Sequence, residues 1–296
     1  MSKIIAIANQ KGGVGKTTTT INLTTALAMN GCRTLVVDID PQSNSTSGFG
    51  MKNDEDTNTI YQLLVGNRAA SECIQKTDIE KLFMIRSNID LVGIEIEIVA
   101  MEKREFLLSS KLDAIKNEFD FIFIDCPPSL SLITLNALVA SDSVMIPVQC
   151  EYYALEGLTL LLNTIKMIKT KLKPSLDIEG YLLTMFDSRL RLSNQVAAEM
   201  QKFFKDKVYN TRIMRNVKIG ESPSFGKPVV LYDPFSIGAK NYNDLALEFL
   251  SKNGVGIRKQ FDNVLDYEPP DYTHDEKASH GTNETNLNEN NINEIK

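Results

Sequence analysis

Residues 10–18 read Gln-Lys-Gly-Gly-Val-Gly-Lys-Thr-Thr, residue types suited to holding a chain of phosphates. Successive glycines let backbone N–H groups converge on phosphate oxygens with no Cβ in the way. Gly15-Lys16-Thr17 is the core of a phosphate-binding loop, with Gly12, Gly13, Val14 and Thr18 completing the cradle. Lys16 neutralises β/γ-phosphate charge, and the Thr17 hydroxyl is placed to ligate Mg²⁺. The first glycine of the usual pattern, five residues before Gly15, is replaced by Gln10, and a second lysine, Lys11, stands directly ahead of Gly12. Two acidic segments complete the set. Arg33-Thr-Leu-Val-Val-Asp38-Ile-Asp40-Pro-Gln42 runs out into carboxylates that share a face by strand alternation, and Phe121-Ile-Phe-Ile-Asp125-Cys-Pro-Pro128 ends in another. Asp125 would hold Mg²⁺ through water, because this ion keeps part of its shell. Asp40, beside the same metal, would orient or activate the attacking water. One strand ending in Asp says little; two behind a phosphate loop specify an ATP-type, Mg²⁺-dependent site.

These groups need a scaffold that brings three strand ends together. Residues 3–8 read as a buried strand and 17–30 as a helix closed by Gly31, so the loop joins strand to helix and the positive helix end faces the anion. Further strand-like runs fall near 33–39, 82–86, 121–125, 143–148 and 178–184, with helical stretches at 94–118, 131–140, 154–173, 193–206 and 238–251. This alternation predicts an α/β fold, a doubly wound, mostly parallel sheet flanked by helices, as in P-loop NTPases. In such a sheet ligands sit at the carboxyl ends of the strands. In the helix after Ala154, Leu158, Leu161, Ile165, Ile168 and Leu172 mark a buried stripe, and Lys166, Lys169 and Lys173 a solvated rim.

An apolar content of 43% over 296 residues supports one full core. No apolar run approaches about 18 residues and no basic-then-apolar leader is present, which predicts a cytoplasmic protein with no membrane partner. Cys32, Cys73, Cys126 and Cys150 are scattered, as expected of reduced core thiols rather than a zinc site or disulfide framework. Both histidines, His274 and His280, lie near the carboxyl end, so histidine acid–base chemistry is not expected in the folded part; phosphoryl transfer to water needs none. The formal net charge of −6 is concentrated in residues 266–296, where eight carboxylates face two lysines. With its many asparagines, this stretch reads as disordered. The expected division is an ATPase domain over 1–252 and an acidic, Asn-rich tail over 253–296. Residues 255–265 read as a packed or frayed helix rather than a membrane-surface one.

The arrangement K-G-G-x-G-K-T-T resembles the deviant Walker A loop of the ParA/MinD group of P-loop ATPases, whose early lysine reaches the nucleotide of the other subunit. Asp125-Cys-Pro-Pro-Ser-Leu, Pro147-Val-Gln-Cys-Glu-Tyr-Tyr-Ala-Leu-Glu-Gly157, Leu183-Thr-Met-Phe-Asp187, Arg215-Asn-Val-Lys218 and Gly226-Lys-Pro228…Tyr232-Asp-Pro234 resemble chromosomal-type ParA proteins, often called Soj. The resemblance spans about residues 2–251. It implies an ATPase that forms a homodimer with ATP and binds double-stranded DNA without sequence preference. It further implies stimulation by a ParB-type centromere-binding partner and a nucleoid-associated location. It also implies that Met214 and Asn216 flank the adenine, with Met214 where the family usually has proline. The chain starts at the first strand, so the amino-terminal helix-turn-helix domain of larger plasmid ParA proteins is not expected.

Residues 189–227 carry nine basic residues against three acidic ones. Arg189, Arg215 and Lys218 fall in segments that resemble the family's DNA-contacting ones; Lys218 stands where arginine is frequent and so lacks the bidentate fork. With no recognition helix evident, contact through phosphates is expected. Two other classes share the loop. A MinD-like membrane-cycling factor needs a basic amphipathic carboxyl-terminal helix. The nitrogenase iron-protein branch needs a pair of cluster cysteines per subunit, a pattern that Cys126 and Cys150 do not match.

Overall fold

The computed structural model describes residues 2–51, 58–66, 68–151 and 154–256. All but the first four residues of the expected tail lie outside these, as does most of the helix expected over 255–265. Seven strands form one sheet: β1 (Lys3–Ile7), β2 (Thr34–Asp38), β3 (Ile74–Lys76), β4 (Leu82–Ile85), β5 (Phe121–Asp125), β6 (Ser143–Gln149) and β7 (Asp177–Thr184). Their spatial order is β3-β4-β2-β5-β1-β6-β7. Every pairing is parallel except the short edge pair β3–β4. The six expected strands all form. The seventh, β3, is three residues long, too short to show a period.

The helices are α1 (Lys16–Met29), α2 (Asn44–Gly48), α3 (Ile60–Val65), α4 (Ala70–Cys73), α5 (Ile94–Ile98), α6 (Leu107–Leu112), α7 (Leu132–Ala140), α8 (Ala154–Lys171), α9 (Arg191–Phe204), α10 (Val217–Glu221), α11 (Val229–Tyr232) and α12 (Ile237–Lys252). Alternate residues of each central strand face opposite layers. Ile4, Ala6, Leu35, Val37, Ile122 and Ile124 pack in the core that takes in α7, α8 and α9. Ile5, Ile7, Phe121 and Phe123 face Leu23 and Leu27 of α1 and Tyr242, Leu245 and Phe249 of α12. Both faces of the sheet are covered, as a parallel sheet requires.

Two expectations need correction. The single helix over 94–118 is broken into α5, a 3₁₀ turn at Arg104–Phe106, α6 and a second turn at Lys116–Glu118. Lys103 adopts a left-handed φ of 54°, which interrupts the helix. Asn136 of α7 then seats the new start: its Oδ1 accepts from the Leu108 N–H and its Nδ2 donates to the Arg104 carbonyl. The second correction concerns the lysine rim of α8. Its buried stripe is as read, but Lys173 is half-buried, 3.8 Å from Asp142, and burial lowers its pKa. All four cysteines are buried thiols. No helix among the described residues is long and apolar enough to cross a membrane.

Candidate functional site

Strand register assembles the site. Ile7, the last residue of β1 before the phosphate loop, pairs with Asp125 at the end of β5, and Asp125 pairs on its other side with Asp38 at the end of β2. Three carboxyl-terminal strand ends therefore converge where the strand order reverses, the position at which open α/β sheets take ligands.

The loop is shaped by backbone that only glycine adopts cheaply. Gly13 and Gly15 have φ of 72° and 90°, and Gly15 is the residue from which α1 starts. A Cβ at Gly15 would also meet Thr184, whose hydroxyl donates to the Val14 carbonyl at 2.8 Å and ties the loop to β7. Asn9 ties its other end to β6 by donating to the Pro147 carbonyl, while its Oδ1 accepts from the Lys11 N–H. The Gln10 side-chain nitrogen is buried with no hydrogen-bond partner among the described residues. An orphaned donor and a glycine cradle at a helix amino terminus fit an anionic ligand.

Lys16 is buried, its Nζ 3.4 Å from the Lys11 carbonyl. Burial lowers its pKa, and Asp125, Cys126 and Asp40 oppose that shift. Asp125 is fully buried and accepts from the hydroxyls of Ser45 at 2.6 Å and Thr20 at 3.1 Å, with Thr17 as a further donor. Burial still raises its pKa above the usual carboxylate range. Burial and the neighbouring Asp125 charge raise that of Asp38. Asp38 is committed elsewhere: it accepts from the Thr46 N–H, the Thr46 hydroxyl and the Asp40 N–H. It shapes the segment that follows β2 and leaves Asp40 as the acid nearer Lys16. Asp40 accepts from the Gln42 N–H. Among the described residues no three Cys, His, Asp or Glu side chains form a metal cage. A carboxylate beside the hydroxyls of Thr17, Thr20 and Ser45 is instead an oxygen donor set that suits Mg²⁺.

Lys11 does not accompany Lys16. Its Nζ lies 2.7 Å from Glu151, just past β6, and the two side chains are 33% and 47% exposed. Beside the loop, a cavity of about 320 Å³ is lined by Thr18, Met185, Met214, Arg215, Asn216 and Tyr242 among others. Both residues expected near the adenine line it. The Asn216 Oδ1, however, accepts from the N–H groups of Lys218 and Ile219, so this end of the amide caps α10.

Arg189 is 87% exposed and forms a two-pronged pair with Asp187, whose pKa it holds down at about 2. Lys218 pairs with Glu221 at 3.0 Å, and Arg215 is exposed. Both residues with the strongest DNA expectation thus already hold a carboxylate. The sequence reading missed Thr20, Ser45, Glu151 and Thr184. Thr20 alone carried a signal, lying one helical turn after Lys16 on α1.

A family model described as an AAA domain matches residues 2–178. The sporulation initiation inhibitor protein Soj of Bacillus subtilis is 54% identical over 254 residues, covering 86% of this chain and 100% of that protein. The chromosome partitioning protein ParA of Myxococcus xanthus is 50% identical over 253 residues, covering 86% of this chain and 89% of that one. Among solved structures, a cobyrinic acid a,c-diamide synthase from Mycobacterium smegmatis with bound ADP and magnesium superposes with a TM-score of 0.75. It is 33% identical and the match covers 88% of this chain and 100% of that one.

Proposed function

The chain belongs to the Soj/ParA family of chromosome-partitioning ATPases, and from that premise we propose an ATP-switched cycle of dimerisation and DNA binding. ATP and Mg²⁺ are the cofactors; a related structure holds ADP and magnesium. The phosphates would lie in the cradle of residues 12–18, with Lys16 as counter-charge. Thr17, and Asp125 through water, would hold Mg²⁺, which shields the phosphate charge during hydrolysis. Asp40 would position the attacking water. The adenine would enter the cavity beside Met214 and Asn216. A ParB-type partner would accelerate hydrolysis, and DNA binding would place the protein on the nucleoid.

The placement of Lys11 supports the cross-subunit part of this reading. Lys16 fills the cradle while the Lys11 ammonium sits at the surface on Glu151, where a second molecule can approach. At Gly12 an added Cβ would meet nothing within 4 Å. A Cβ there meets no atom of its own subunit, which leaves the space beside Lys11 open to a second molecule. Lys11→Ala and Gly12→Val should each retain the monomer fold but lose ATP-dependent dimers in analytical ultracentrifugation. Glu151→Gln, which releases Lys11, should dimerise at lower ATP. The shift is about twofold, because half-exposed ion pairs are weak. Lys11→Ala or Gly12→Val dimers equal to the parent's would refute the cross-subunit role.

A further inference from the structure

Four large apolar side chains that the fold does not need lie exposed within residues 217–237: Val217 (73%), Phe225 (62%), Phe235 (76%) and Ile237 (49%). Single exposed apolar residues are ordinary; a group on one surface is not. The elements that carry them adjoin. Gly238 lies so close to α10 that a Cβ would stand 2.6 Å from the Ile219 side chain, which joins the start of α12 to α10. The Phe225 ring stacks on Tyr232 at 4.9 Å, and the Lys218 ammonium stands 5.7 Å from the same ring.

The charge around them is mainly positive. Residues 212–240 carry Arg212, Arg215, Lys218, Lys227 and Lys240 against Glu221 and Asp233. Glu221 is itself held by Lys218 and the Tyr232 hydroxyl. An occupant must therefore be anionic outside and offer apolar surface within reach. Duplex DNA does so at its base steps, between two rows of phosphates. A lipid surface is a poorer match, because Phe225 ends a 3₁₀ turn at Ser222–Phe225 and Phe235 lies in a connection, neither on the apolar face of an amphipathic helix.

We propose that Phe235, supported by Phe225, is an apolar wedge that presses between base steps in the DNA minor groove while Lys218 and Arg215 hold the flanking phosphates. This rests on the DNA-binding reading above and adds a term that does not depend on phosphate charge. Such a wedge reads no base pattern, so binding stays broadly sequence-tolerant, with a preference for flexible pyrimidine–purine steps. It also kinks the duplex.

The test titrates fluorescent duplex DNA with the ATP-loaded full chain between about 50 and 200 mM salt. Phe235→Ala should weaken binding roughly tenfold at every salt concentration and leave the log–log slope unchanged. Lys218→Ala should flatten the slope. Phe235→Trp should restore affinity, and end-labelled DNA should bend less with Phe235→Ala than with the parent. Unaltered DNA affinity in Phe235→Ala overturns the wedge. So does loss of ATP-dependent dimers in that variant without DNA, which would make the patch a self-association surface. Capture of the parent but not of Phe235→Ala by phosphatidylglycerol vesicles, with DNA affinity equal in both, overturns it in favour of a membrane face. A parent that fails to bind DNA with ATP removes the underlying reading as well, and the first titration alone identifies that case.

Discussion

At the scale of single residues, the site divides its carboxylates by what surrounds them. Asp38 and Asp125 stand side by side across β2 and β5, and each has its oxygens occupied by hydroxyl or amide donors. Asp40, two residues beyond Asp38, acts on the Lys16 charge without such a shell and accepts from the Gln42 N–H. In the proposed cycle structural work would fall to Asp38, metal binding to Asp125, and control of water to Asp40. Asp40→Ala should bind ATP and Mg²⁺ through Lys16, Thr17 and Asp125 yet lose turnover by roughly 10²-fold or more, the usual scale for a positioned base. It should accumulate as an ATP-bound dimer with high DNA affinity. A phosphate-release assay giving parental turnover would move the role to another residue.

At the scale of elements, the raised pKa values of Asp38 and Asp125 link sheet pairing to pH. An acid whose pKa is higher in the folded than in the unfolded chain binds more protons when folded across the interval between the two values. For Asp38 that interval opens at 3.8 and extends upward to its raised folded-state value, so its contribution is full below pH 3.8 and is lost as pH rises through that interval. Nucleotide-free protein in EDTA should melt at a lower temperature at the top of this range than at the bottom. Asp38→Asn should flatten that dependence in a calorimetric pH series; an unchanged slope would assign it to other groups. The same element ends explain what the sequence displayed. Strands β1, β2 and β5 are buried on both faces and carry unbroken apolar runs, so they and the loop between β1 and α1 were readable directly. The 94–118 segment was misread because its break depends on Lys103 backbone geometry and on Asn136, which is supplied from another helix. Ser45 on Asp125 and Glu151 on Lys11 arise from pairings 80 and 140 residues apart, which no local pattern encodes.

At the scale of the whole molecule, the function proposed requires two weak cationic surfaces to act as one. The basic residues of 189–227 are not a field of unpaired charge, since Arg189 is held by Asp187 and Lys218 by Glu221. On the proposed reading each would exchange a carboxylate for a phosphate on binding, which would keep the affinity of a single subunit low. Joining two subunits makes the second contact intramolecular and raises avidity without any new contact. ATP would therefore control DNA binding through assembly alone, with no need to reshape the cationic surface. Arg189→Ala would remove one cation per subunit and two per proposed dimer, so the log–log salt slope should flatten by roughly 1.8. Asp187→Asn frees the same guanidinium and should tighten binding while keeping the parental slope or steepening it. Both variants should dimerise with ATP as the parent does, because neither side chain belongs to the phosphate loop. Fluorescence anisotropy across a salt series, beside sedimentation with ATP, separates the two effects. If Arg189→Ala and Lys218→Ala each keep the parental slope, the phosphate contacts lie elsewhere. The next surface to examine is then α8, where Lys166 is exposed and Lys169 half-buried while Lys173 is drawn to Asp142.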